Sequence, residues 1–196
     1  MKTNNHKTVV LLILLTLLCS MDANAEEYKI LLGEKAFGVS LTSPMNDYIK
    51  VLGKPDGTIN MGKDRVGMMF GQKLLVIFWG NKLWEIVAWS KPPIHAFGYI
   101  RNGQDQNKFN IIIDGGIKLG MLRNKVSNAI SAIKSKDKDQ EVDGDEYGMA
   151  FSNNNTTVSL GFEYKNWKRG SVEEDQILSE LQVTFEANNP IMNRNK

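Results

Sequence analysis

Cysteine is almost absent from this chain. Cys19 is the single one in 196 residues, so no disulfide can form within it and the fold has to rest on its core. Histidine is nearly as scarce, with only two, which removes most nucleophile–base pairings. No Gly-x-Ser-x-Gly elbow, phosphate-binding glycine loop or His-Glu-x-x-His occurs. Charge of one sign is missing too: 24 Lys and Arg stand against 22 Asp and Glu, a net +2, which argues against nucleic acid as a partner. A hydrophobic share of 42% excludes a disordered chain.

The longest apolar run, Val9 to Leu18, is about half the roughly 20 residues that cross a bilayer. Lys2 and Lys7 precede it and Ala23-Asn24-Ala25 follows it, the layout of a secretory signal peptide. Residues 1–25 are therefore expected to be an address segment cleaved after Ala25, leaving a cysteine-free chain in the periplasm or outside the cell without stable membrane insertion. Leu18 stands before Cys19, where a lipidation signal wants a small residue, so no lipid anchor is expected. Cleavage removes Lys2, Lys7 and Asp22 and leaves 171 residues with a net charge of +1.

What remains is repetitive. Gly38-Val39-Ser40-Leu41 lies over Gly116-Ile117-Lys118-Leu119, each followed by a helical stripe. In the first stripe Met45, Tyr48, Ile49 and Leu52 share a face, with Ser43 as N-cap, Pro44 as first helical residue and Gly53 as stop. In the second, Leu122, Val126, Ala129, Ile130 and Ile133 do so. Strand patterns follow at 65–70, 73–79 and 83–89 and again at 146–151, 157–164 and 177–185, with apolar runs at 28–32 and 109–113 before the helices. Gly80-Asn81-Lys82 marks a hairpin turn. Leu83-Trp84-Glu85-Ile86 and Leu178-Ser179-Glu180-Leu181 occupy like positions. The expected fold is α+β: two tandem β-α-β-β-β repeats, 26–89 and 108–187, each a helix packed on an antiparallel sheet, with a linker at 90–107 and a polar tail at 188–196.

Gly120-Met121-Leu122-Arg123-Asn124-Lys125-Val126 is similar to the Gly-Met-x-x-x-x-Val helix start of the BamE/SmpA-like outer-membrane assembly lipoproteins, and Leu52-Gly53-Lys54-Pro55 to the Leu-Gly-x-Pro that closes that helix. Each repeat carries half of the pattern. A tandem of such units resembles the β-lactamase inhibitor proteins, and the resemblance implies two α/β repeats presenting a concave sheet to a protein partner.

His95, in Pro92-Pro93-Ile94-His95, reads as a packing or solvated residue. The acidic cluster Asp137, Asp139, Glu141, Asp143, Asp145 and Glu146 fails as a calcium loop, because Ala150 stands where the bidentate Glu belongs. Interleaved lysines make it a solvated turn. No metal, cofactor or catalytic residue is assigned. A hydrolase built on carboxylates is the enzymatic alternative.

Aromatic residues point elsewhere. Alternation puts Leu74, Val76 and Phe78 on one face and Leu75, Ile77 and Trp79 on the other. In the next strand it sets Leu83, Val87 and Trp89 against Trp84, Ile86 and Ala88. The second apolar face either packs between the repeats or meets a partner. Candidate partner-binding residues are Trp79, Trp84 and Trp89, with Tyr164, Trp167 and Arg169 as a second contact loop; the tryptophans alternatively serve a small ligand or glycan.

Overall fold

The computed structural model describes residues 27–91, 109–134, 142–166 and 175–188. The signal-peptide region, His95 and most of the linker, Asp137 to Glu141, Trp167 and Arg169 lie outside them.

The described residues form an α+β fold dominated by two sheets. In the first segment come β1 (Glu27–Leu31), β2 (Lys35–Ala36), β3 (Val39–Ser40), helix α1 (Met45–Leu52), β4 (Gly57–Gly62), β5 (Arg65–Phe70), β6 (Leu74–Trp79) and β7 (Lys82–Trp89). The second segment has β8 (Asn110–Ile113), β9 (Ile117–Lys118), helix α2 (Arg123–Lys134), β10 (Val142–Gly144), β11 (Gly148–Asn153), β12 (Thr156–Tyr164) and β13 (Gln176–Phe185). The small sheet has the order β3-β2-β1-β8-β9 and the large one β10-β11-β12-β13-β7-β6-β5-β4. Pairing is antiparallel throughout except between β1 and β8. Both segments contribute to both sheets, joined at β1–β8 and β7–β13.

Four strands follow each helix where the sequence pattern predicts three. The additional strands, β4 and β10, are the two edges of the large sheet. An edge strand has one neighbour and little to bury, so the six residues of β4 alternate only weakly and end in glycine on both sides.

Tight turns explain the meanders. Gly80-Asn81, Lys63-Asp64 and Asn154-Asn155 each hold both residues at positive φ between flanking strands, the two-residue turn whose twist matches a hairpin. Gly38 and Gly116 share a φ of +78°, where a side chain would be strained. Both stand immediately before a two-residue strand.

Helix α1 begins at Met45, one residue later than the sequence pattern suggests, and Ser43 makes no cap hydrogen bond. Asn81 does that work from the β6–β7 turn, where its carbonyl and its Oδ1 accept from the Met45 N–H at 3.1 and 3.3 Å. Pro44 bridges Lys82, and in the second segment Leu122 bridges Ile177, so each helix start is pinned to the last strand of its own segment. Gly53 stops α1 as expected, its N–H donating to the Ile49 carbonyl.

One core joins all of this. Tyr48, Leu52, Val126, Ile130 and Ile133 from the helices meet Ile30, Ile111, Ile113 and Ile117 from the small sheet and one face of the large sheet. Across that face Met68, Val76, Ile86, Val183, Val158 and Phe151 stand opposite one another in register through six strands. All six are buried, each worth about 1.5–3 kcal/mol of apolar burial. Polar contacts lock the segments together: Asp114 Oδ2 accepts from the Leu32 N–H, Thr156 Oγ1 from the Gly33 N–H, and Asn188 Nδ2 donates to the Leu41 and Leu83 carbonyls.

Candidate partner-binding face

The other face of the large sheet is built by the alternate residues. One row runs Met69, Leu75, Val87, Gln182, Ser159, Ala150 and Asp143, and the next runs Ile59, Gly67, Ile77, Glu85, Thr184, Thr157 and Ser152. Met69, Ile77 and Val87 are buried yet lie outside the core cluster. The first-segment half of this outer face is apolar, and the second-segment half is small and polar.

A β-bulge decides where Trp84 points. Ile77 pairs with Glu85 and Phe78 with Leu83, leaving Trp84 as the extra residue. Leu83, Ile86 and Ala88 consequently face the core, while Trp84, Glu85, Val87 and Trp89 belong to the outer face. This corrects the strict alternation expected from sequence, which put Leu83 with Val87 and Trp84 with Ile86; an inserted residue shifts the phase of everything before it. A second bulge lies in the second segment, where Gly161 pairs with Glu180 and Phe162 with Leu178, leaving Ser179 extra. Its hydroxyl donates to the Gly161 carbonyl at 3.1 Å.

Trp84 meets Trp79 edge to face, ring centroids 5.3 Å apart and planes at 81°. Arg65, directly opposite Trp79 across the β5–β6 pair, lays its guanidinium 5.6 Å from the Trp79 centroid and 5.7 Å from that of Trp84. Both tryptophans are half-buried. Beside them Glu85 is buried and its Oε1 accepts from Gln182 Nε2 at 2.6 Å, tying β7 to β13. Burial pushes the Glu85 carboxyl above its ordinary range, against the Gln182 hydrogen bond and the Arg65 charge, which favour the ionised form.

The remaining sequence candidates do not all gather here. Trp89 shares the outer face, opposite Glu180, but lies about 16 Å along β7 from Trp84 at roughly 3.3 Å per residue. Tyr164 falls on the opposite face, paired with the fully buried Gln176, its hydroxyl donating to Glu146 Oε1 at 3.4 Å. There Arg123 donates to the Asp145 and Glu146 carbonyls and to Gln176 Oε1, over the Phe162 ring. Tyr164 thus flanks a clamp that holds the start of α2 rather than the tryptophan pair. Arg65 and Glu85 escaped sequence reasoning because one charged residue in a strand carries no signal; its opposition to Trp79 emerges only from register.

A shallow trough of about 430 Å³ occupies the second-segment half of the face, lined by Asp143, Gly148, Ala150, Ser159, Gly161 and Glu180 among others. Asp145 Oδ1 accepts the Tyr147 and Gly148 N–H groups at 2.8 Å each, closing the β10–β11 turn on itself. Among the described residues no group of acidic or histidine side chains is arranged to hold a metal, and no helix is long and apolar enough to cross a membrane. Comparison of the chain with protein families, with curated proteins and with solved structures finds no match.

Proposed function

We propose that this chain is an exported, non-catalytic protein-binding module of a bacterial cell envelope, acting as an inhibitor, immunity or assembly factor. In this reading residues 26–89 and 108–187 are two copies of one unit. The outer face of the large sheet engages the partner. The duplication is supported by the four strands that follow each helix, by the paired helix bridges Pro44–Lys82 and Leu122–Ile177, and by bulges at Trp84 and Ser179 within like sequences.

The observation that carries the binding function is the tryptophan pair with its arginine on a sheet face outside the core cluster. Trp and Arg are the residues that dominate binding energy at protein interfaces. A sugar platform wants a ring presented flat, whereas planes at 81° offer one face and one edge, which favours a protein partner over a glycan.

The test uses the exported protein as bait in envelope extract, with Trp84→Ala beside it. A partner captured by the wild type and lost with the variant, at nearly unchanged melting temperature, is the expected outcome. Equal capture by both, or collapse of the variant's thermal stability, overturns the reading by assigning Trp84 to structure.

A further inference from the structure

The tryptophan pair is framed by donors that lack acceptors. Arg65 Nε and Trp84 Nε1 are both buried without a hydrogen-bond partner among the described residues. Among the described residues the Arg65 guanidinium makes one hydrogen bond, a long one, Nη2 donating to the Met61 carbonyl at 3.3 Å. No carboxylate forms an ion pair with it among the described residues: the pairs present are Lys29–Glu27, Lys50–Asp47 and Lys91–Glu163. Glu85, the acid whose charge it senses, is held by Gln182 instead. A buried donor left unpaired has given up its hydration without a replacement. Arg65 and Trp84 therefore bring surplus N–H groups to the cluster, and the one acid beside them is committed to Gln182.

We propose that Arg65, braced by Trp79 and Trp84, anchors an acidic side chain of the protein partner, an Asp or Glu flanked by apolar residues. This rests on the protein-binding reading and names the chemistry the partner must bring. The guanidinium carbon lies 5.6 and 5.7 Å from the two ring centroids, and an arginine can give a carboxylate two parallel hydrogen bonds. The two indoles beside the guanidinium exclude water around that contact, which strengthens the ion pair beyond its value in open solvent. The rest of the face sets the orientation. Asp143 and Glu180 line the trough on the second-segment half and repel an acidic group, so the partner's acid is directed to Arg65 and not across the junction.

The probe is the peptide Ac-Phe-Glu-Phe-NH2 titrated into 15N-labelled protein, with Ac-Phe-Gln-Phe-NH2 as its uncharged isostere. The readout is the indole N–H signals of Trp79 and Trp84. The Glu peptide is expected to bind about tenfold more tightly, the worth of one charge-assisted contact. Arg65→Met is expected to erase that difference while leaving the Phe-dependent shifts, and Arg65→Lys to retain part of it because the charge survives without the fork. Equal binding of both peptides by the wild type overturns the assignment of Arg65 and leaves the aromatic face intact as a binding surface. Silence of both indoles toward either peptide also overturns it, while capture lost in Trp84→Ala would still support the protein-binding reading. A preference that persists in Arg65→Met places the cation elsewhere and overturns it as well.

Discussion

The two segments present the same core face and opposite outer faces. On the core side, Met68, Val76 and Ile86 of the first continue directly into Val183, Val158 and Phe151 of the second. On the outer side, Met69, Leu75 and Val87 give way to Gln182, Ser159 and Ala150 along one row. The divergence is sharpest at the bulges. In the first segment Ile77, Trp84 and Glu85 come together there, and in the second Gly161, Ser179 and Glu180. Replacing Ile and Trp by Gly and Ser removes a ridge and leaves a trough, so the corresponding acid is buried at Glu85 and exposed at Glu180. A core can be shared only by sequences that keep its pattern, because every missing methylene leaves a void. On the outer face that constraint holds only in the first segment, where Met69, Ile77 and Val87 are buried, and it is there that the two segments differ.

Truncating the shared core should hurt equally on both sides: Ile86→Ala and Leu160→Ala should each lower unfolding free energy by about 2–5 kcal/mol in urea titration. A loss confined to one segment would mean that the core is two cores. Truncating the outer face should hurt unequally. Ile77→Ala, at a site 3% exposed, should cost about 2 kcal/mol, whereas Ser159→Ala should stay within about 0.5 kcal/mol; similar losses would erase the contrast.

The smallest effect concerns the buried acid. Because folding raises the Glu85 carboxyl above its ordinary value, the folded state holds that proton more tightly than the unfolded state. Its stabilising contribution is complete below the unfolded-state pKa and lost as pH rises through the folded-state one. Glu85→Gln keeps an oxygen for Gln182 and removes the titration, so its stability relative to wild type should improve as pH rises above the ordinary carboxylate range. A flat difference for Glu85→Gln would show that the Arg65 charge and the Gln182 hydrogen bond offset burial.

Much of the fold is legible in the sequence wherever burial imposes a period. Strands 65–70, 74–79 and 82–89 fall within a residue of the expected spans because their alternate residues pack into one core. So do the helical stripes, in which Tyr48, Leu52, Val126, Ile130 and Ile133 are buried as the spacing implies, while Leu122 at the stripe's start is exposed. Edge strands β4 and β10 were illegible, since one-sided pairing demands little of their side chains. The site was legible only in part: Trp79 and Trp84 stand out as large aromatics, but nothing local announces that Arg65 lies against them.

Local sequence is enough for the α+β class, the order of the main elements, the disulfide-free core and a tight turn at Gly80-Asn81-Lys82. Each follows from local rules of period, composition and backbone freedom. Tertiary structure alone decided that β7 joins β13 into one eight-stranded sheet, that Asn81 rather than Ser43 caps α1, and that the bulge at Trp84 turns its indole outward onto Trp79 and Arg65. Those outcomes depend on which strand meets which and in what register. Register is an agreement between distant segments, reached only when both are buried against the same core.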